Sequence, residues 1–191
     1  MLLKRNVHAQ AAVYDVSRRI NVNALRSSFH RVKGTHAVVW KHGLIEQSDL
    51  HYPVWALPTG SEQNAVHSAV KLMAELTHDI DLTELSAEPK TIIKAKHIPC
   101  EPYGESRVYG LLDDLESSTM VAIVCVSCDS LAGGVHNVVY ANGEGIITQL
   151  RPGDMLVYKR TPGVVHTVSN VSNLTSEEGC MNMIVLGSTF V

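Results

Sequence analysis

The 191-residue sequence has little of several features, and each shortage excludes a class of protein. It contains four cysteines, Cys100, Cys125, Cys128 and Cys180, which are too few for a disulfide scaffold and are typical of a reducing compartment. No apolar run approaches the roughly 18 residues that a membrane helix needs. Polar side chains also interrupt the first 13 residues, where a signal peptide would be apolar. We therefore expect a soluble, cytoplasmic protein with no membrane span.

Charged residues make up 18% of the sequence, which is ordinary for a globular protein, but their distribution is uneven. Residues 1–41 contain eight lysines and arginines and one aspartate, a net charge of +7, whereas residues 42–191 have a net charge of −10. A basic segment of this kind predicts contact with nucleic acid, with an anionic membrane surface or with an acidic surface of a neighbouring subunit. Apolar residues interleave with the charges, however, and this pattern also fits a solvated helix face.

The 45% of apolar residues predicts one compact unit with a sizeable core. Residues 10–30 have loosely helical spacing, Thr35–Trp40 is typical of a strand, and an amphipathic helix is predicted to begin at Ser61. From residue 90 onward, eight short β-branched runs alternate with turn residues, a spacing typical of a sandwich or barrel. We predict an α+β fold in which a helical or mixed layer, residues 1–89, covers an antiparallel β-roll, residues 90–191.

One segment of the β-roll carries a recognisable series of turns and strands. Residues 151–170 contain a Pro-Gly turn, an apolar strand, the second turn Pro162-Gly163 and then His166, and the pair Gly133-Gly134 precedes them. This order resembles the second conserved motif of cupins and the distal-histidine segment of the Fe(II)/2-oxoglutarate dioxygenases. The resemblance covers about residues 90–190. It implies a double-stranded β-helix, or jelly roll, with Fe(II) and 2-oxoglutarate as cofactors and a small molecule or protein side chain as substrate.

The resemblance also implies a set of metal ligands, which this sequence matches only in part. His166 corresponds to the distal histidine ligand, and Asp113 or Asp114 corresponds to the carboxylate. Leu111 or Leu112 stands where the first histidine is expected. Two histidines and one carboxylate are the set that leaves Fe(II) open positions for an oxoacid and dioxygen.

Other strands offer replacements for the groups that are missing. The arginine that pairs with 2-oxoglutarate is expected about ten residues after His166, but no lysine or arginine follows Arg160. Candidates for the second imidazole are His97 and His136. Candidates for the cation that would bind the co-substrate are Arg107, Lys94 and Lys96.

Three functions stay open at this point, and whether the chain is an enzyme depends on these replacements. The first is a non-haem iron, 2-oxoglutarate-type oxygenase. The second is a catalytically inactive β-roll that binds or scaffolds and needs no cofactor. The third is a jelly-roll assembly or coat subunit that uses the basic residues 1–41 to bind nucleic acid. Exposed sheet edges would favour a homo-oligomer in each case.

Overall fold

The structure is a computed structural model that describes residues 3–29, 32–41, 44–46, 50–55, 60–77 and 90–189. These residues form two helices and fourteen strands. The helices are α1 (Val22–Ser28) and α2 (Ser61–Thr77). The strands are β1 (Leu3–His8), β2 (Ala11–Asp15), β3 (Thr35–Lys41), β4 (Leu44–Glu46), β5 (Lys90–Cys100), β6 (Glu105–Ser106), β7 (Met120–Asp129), β8 (Leu131–Gly133), β9 (Val135–Val139), β10 (Gly145–Gln149), β11 (Asp154–Lys159), β12 (Val165–Val168), β13 (Val171–Asn173) and β14 (Gly179–Thr189). Neither helix is long and apolar enough to cross a membrane.

The strands form one large sheet and two small ones. The large sheet has the order β1-β2-β11-β7-β14-β5-β3-β4, and the small sheets have the orders β10-β9-β12 and β6-β13-β8. The small sheets adjoin where Gly134 N–H donates to the Asn170 carbonyl, at 3.1 Å, and Ser169 N–H donates to the Val135 carbonyl, at 3.0 Å. Together they form the second wall of a β-barrel.

Alternation along the strands divides the apolar residues of the large sheet into two cores. In β7, Val121 and Ile123 pack into the barrel, whereas Ala122 and Val124 pack toward the helices. The same division holds in β14, where Val185 faces the barrel and Ile184 and Leu186 face the helices. Because successive side chains of a strand point to opposite faces, a strand buried on both sides must be apolar throughout.

The amino-terminal part contributes strands as well as helices. Residues 10–30, predicted to be helical, contain β2, and only Val22–Ser28 is an α-helix. The strand β2 is buried on both faces, with Ala12 and Tyr14 in the helix-side core and Val13 in the barrel core. Periodicity alone cannot separate such a short buried run from a helix. The predicted β3 strand and the helix α2 are confirmed, but the helical layer is not confirmed as such.

The predicted β-roll is confirmed in most of its strands. Seven of the eight predicted runs after residue 90 overlap β5, β7, β9, β10, β11, β12 and β14. The prediction was wrong for Arg107–Leu112, because β6 ends at Ser106. Beyond it, Gly110 has a φ of 62° and Asp114 a φ of 61°, so the backbone turns through the left-handed region instead of continuing as a strand.

The basic amino-terminal segment is built into the fold. Three of its arginines pair with acidic side chains of other elements: Arg5 with Asp154, Arg19 with Glu75 at 2.8 Å, and Arg26 with Asp129 at 2.7 Å. Strands β1 and β2 extend the large sheet beside β11. The opposite charges of the two parts of the chain are thus partly neutralised within one molecule. This arrangement does not support the nucleic-acid partner, which stays a prediction.

Candidate functional site

His166 lies in the barrel beside a second histidine, His136. Strands β12 and β9 pair so that His166 is opposite Val138 and His136 is opposite Val168, which places these side chains on one face. Val138 belongs to the barrel core, and His136 is only 1% exposed. The Nδ1 atom of His136 is 3.1 Å from Nε2 of His166, and the two rings are nearly parallel.

A tyrosine extends this pair to a line of three polar side chains. The hydroxyl of Tyr158, a fully buried residue of β11, is 3.3 Å from Nδ1 of His166. Burial lowers the pKa of His136 to about 3, and the neighbouring His166 adds to the effect. Burial also lowers the pKa of His166 to about 4, with a contribution from the Arg160 guanidinium. Both imidazoles are therefore neutral at pH 7, and each has one N–H donor and one acceptor nitrogen.

The predicted carboxylates do not join the histidines. Asp113 is exposed, and its Oδ2 atom accepts a hydrogen bond from the Tyr52 hydroxyl at 3.3 Å. Asp114 follows it with a positive φ. The first histidine was expected at Leu111 or Leu112; Leu111 is buried in the barrel core, and Leu112 is partly buried against it. The turn thus directs an apolar side chain inward and a carboxylate outward.

Lys94 points from β5 into the barrel and reaches the same turn. Its Nζ donates to the carbonyl oxygens of Gly110, at 3.1 Å, and Asp113, at 2.6 Å, and lies 4.6 Å from the centre of the Tyr52 ring. Burial lowers the pKa of Lys94 to about 8, although the Asp113 and Asp114 carboxylates raise it in part. The Lys94 ammonium therefore binds backbone oxygens of this turn.

The other two candidate cations have different partners. Lys96 is half-buried, and its Nζ donates to Thr35 Oγ1 at 2.8 Å; burial lowers its pKa. Arg107 is exposed, and its guanidinium donates to the Tyr109 hydroxyl at 3.0 Å, a bond that raises the arginine pKa. Neither of these hydrogen bonds is directed to the histidine pair.

His97 is on the other face of the large sheet. It shares a face of β5 with Ile93 and Ala95, which belong to the helix-side core, whereas the next residue, Ile98, belongs to the barrel core. Its Nδ1 is 2.6 Å from Oδ1 of Asn182 on β14. Because the large sheet separates the two faces, His97 is not brought together with His136 and His166.

These positions decide whether an iron site of the expected kind is formed. In the ranges that the structure describes, no three His, Cys, Asp or Glu side chains are close enough to hold a metal ion. The histidine pair supplies two nitrogen atoms, and no carboxylate joins it. The described residues therefore do not fit the set of two histidines and one carboxylate.

Three residues near the site were missed in the sequence. Tyr158 had a usable signal, because it lies on an inward position of the strand that precedes His166 in the recognised segment. Arg160 donates to the Leu115 carbonyl and acts on His166 by its charge. Tyr52 had no signal, since its contacts with Lys94 and Asp113 cross long stretches of sequence.

Comparison with known proteins agrees with this fold. No protein-family model and no curated protein matches the chain. IDO from Bacillus thuringiensis is 11% identical with a TM-score of 0.71, the match covering 95% of this chain and 90% of that one. A bsmA homologue from Methylobium petroleophilum is 13% identical, with a TM-score of 0.62 and coverage of 95% and 89%. The Fe(II)/α-ketoglutarate-dependent dioxygenase TqaL is 12% identical, with a TM-score of 0.66 and coverage of 95% and 82%. The double-stranded β-helix is thereby confirmed.

Proposed function

We propose that this chain is a catalytically inactive double-stranded β-helix protein, which binds or scaffolds without iron and 2-oxoglutarate. The supporting observation is the conformation of the turn Gly110–Asp114. Leu111 fills the barrel core, the Asp113 carboxylate is exposed beside Tyr52, and the Lys94 ammonium bonds to carbonyls of the turn. The two positions at which the first histidine was expected, Leu111 and Leu112, are thus both occupied by apolar side chains of the barrel core.

The cations near the barrel support the same proposal. A co-substrate with two carboxylates needs a free cation to pair with the carboxylate that lies away from the metal. Lys94 is engaged by two carbonyl oxygens, Lys96 by the Thr35 hydroxyl, and Arg107 is exposed beside Tyr109. None of these hydrogen bonds is directed to the histidines, and Arg160, whose charge acts on His166, donates to the Leu115 carbonyl.

An iron oxygenase that acts on a small molecule or a protein side chain is the second candidate function. TqaL, which shares the fold, is an Fe(II)/α-ketoglutarate-dependent dioxygenase. The observation that favours this candidate is the 3.1 Å separation of His136 Nδ1 and His166 Nε2. Two nitrogen ligands at neighbouring corners of an octahedral ion, each about 2.1 Å from it, would be about 3.0 Å apart. The pair could therefore provide two ligands, but the described residues supply no third.

Metal analysis and a turnover assay distinguish the two candidates. We expect purified protein, incubated with Fe(II) and 2-oxoglutarate and then desalted, to retain no stoichiometric metal and to form no succinate above the buffer rate. Metal content is measured by elemental analysis and succinate by chromatography. His136→Ala and His166→Ala should change neither result, because the proposal assigns no metal to these residues.

A metal site at the histidine pair would be recognised by its dependence on both histidines. One ion per chain, lost in both His136→Ala and His166→Ala, would contradict the proposal and support a site at the histidine pair. His97→Ala is the matched control, because this histidine lies on the other face of the large sheet. If metal is bound in the barrel, the metal content of His97→Ala should equal that of the unmodified protein.

A further inference from the structure

Lys94 is a charged residue of β5 that faces the core of the barrel. It is 1% exposed, and its register partner on β14 is Val185 of the barrel core. Removing an ammonium group from water costs free energy unless close partners compensate the charge. The groups that contact Lys94 therefore show which part of the structure the buried charge stabilises.

Those partners belong to one turn and to the tyrosine that packs on it. The carbonyl oxygens of Gly110 and Asp113 both accept hydrogen bonds from Nζ of Lys94, and the Tyr52 ring lies beside the charge. The hydroxyl of Tyr52 in turn donates to the Asp113 carboxylate. Carbonyl and carboxylate oxygens arranged around a positive charge are the surroundings that a hard metal cation takes in proteins.

The backbone of the Gly110–Asp114 turn needs a hydrogen-bond donor for its inward-facing carbonyl oxygens. Gly110 and Asp114 both have positive φ, and the turn makes an internal hydrogen bond from Leu115 N–H to the Leu112 carbonyl at 3.1 Å. Two of its carbonyls point to Lys94 instead of to backbone donors. Loss of the ammonium would leave these oxygens without that donor and would release the turn.

We infer that the Lys94 ammonium acts as a cation inside this end of the barrel and holds the Gly110–Asp114 turn in the conformation that buries Leu111 and exposes the Asp113 carboxylate. This is the turn on which the family resemblance places the metal-binding pair, so the inference rests on the proposed function. A fixed positive charge among the turn's oxygens also repels a divalent ion. Lys94 is thus a positioning residue for this turn.

Amide hydrogen exchange of the turn tests this role in the full chain. In Lys94→Met we expect the Leu115 amide to exchange at least about tenfold faster, since two hydrogen bonds that hold the turn are lost. The global unfolding midpoint in urea should change little, because the substitution also removes a buried charge. Lys90→Met is the control: it lies on the same strand, but its side chain is exposed.

Several results would overturn the inference. These are unchanged exchange of Leu115 in Lys94→Met, an equal acceleration in Lys90→Met, or an acceleration spread over the whole chain with a loss of global stability. If Lys94→Met does not fold, Lys94→Leu, which also lacks a donor, replaces it, and unchanged exchange there has the same meaning. The exchange is measured without metal. Failure of the proposed function would instead appear as metal binding by the unmodified protein.

Discussion

Substitution of Gly133 by alanine should destabilise the protein by roughly 2–5 kcal/mol and disturb the wall of the barrel that carries the histidines. Gly133 has a φ of 86°, and a Cβ atom there would lie 2.2 Å from the carbonyl oxygen of Asn170. That oxygen accepts the Gly134 N–H bond where the two small sheets adjoin. A clash with backbone cannot be relieved by moving one side chain, so the strands themselves must separate.

Comparison of urea unfolding in Gly133→Ala and Gly143→Ala separates the energetic cost of the clash from the cost of the left-handed backbone conformation. Gly143 has nearly the same φ, 83°, but no atom lies within 4 Å of a Cβ built there. We therefore expect Gly143→Ala to lose only about 1–2 kcal/mol, the cost of the left-handed conformation. Equal losses in the two variants would show that the contact with Asn170 has no energetic role.

Acid should destabilise the protein strongly because two neutral histidines are buried together. Burial lowers the pKa of His136 to about 3 and that of His166 to about 4. In the unfolded chain a histidine titrates near 6.5, so below that pH the unfolded state binds protons that the folded state excludes. The free energy of unfolding should therefore fall as the pH drops from about 6.5 to about 4, by roughly 1.4 kcal/mol per pH unit for each imidazole.

Urea unfolding at a series of pH values, in the presence of a chelator, measures this dependence. His136→Gln removes one of the two groups and should reduce the slope between pH 4 and 6.5 by about 1.4 kcal/mol per unit. His136→Gln combined with His166→Gln should remove the remaining part contributed by the pair. A slope that is the same in wild type and in both variants would contradict the neutral, buried state of these histidines.

The fold was largely predictable because its signals are local. Turn residues such as Pro162-Gly163 separate the short apolar runs, and the confirmed strands lie between those turns. Helix α2 followed from apolar residues at helical spacing. The exception within residues 1–30 has a local cause as well, since a short strand buried on both faces, such as Ala11–Asp15, lacks the alternation that distinguishes a strand from a helix.

The candidate site was predictable only in part because its geometry depends on pairing across strands. His166 was identified from the order of turns around it, but its partner His136 is on β9 and meets it only through the β9–β12 register. Lys94 was considered as an anchor for a carboxylate, and the structure instead gives it two backbone carbonyls as partners. No local pattern encodes such a contact.

The sequence by itself determined the barrel, the position of His166 and the lack of a histidine at Leu111 or Leu112, because turn residues, strand runs and single identities are local properties of the chain. Only the tertiary structure decided which polar groups meet: His136 with His166 and Tyr158, and Lys94 with the turn at Gly110. The physical reason is that sheet register and face, which are set by packing over long sequence separations, select the partners of every buried polar side chain.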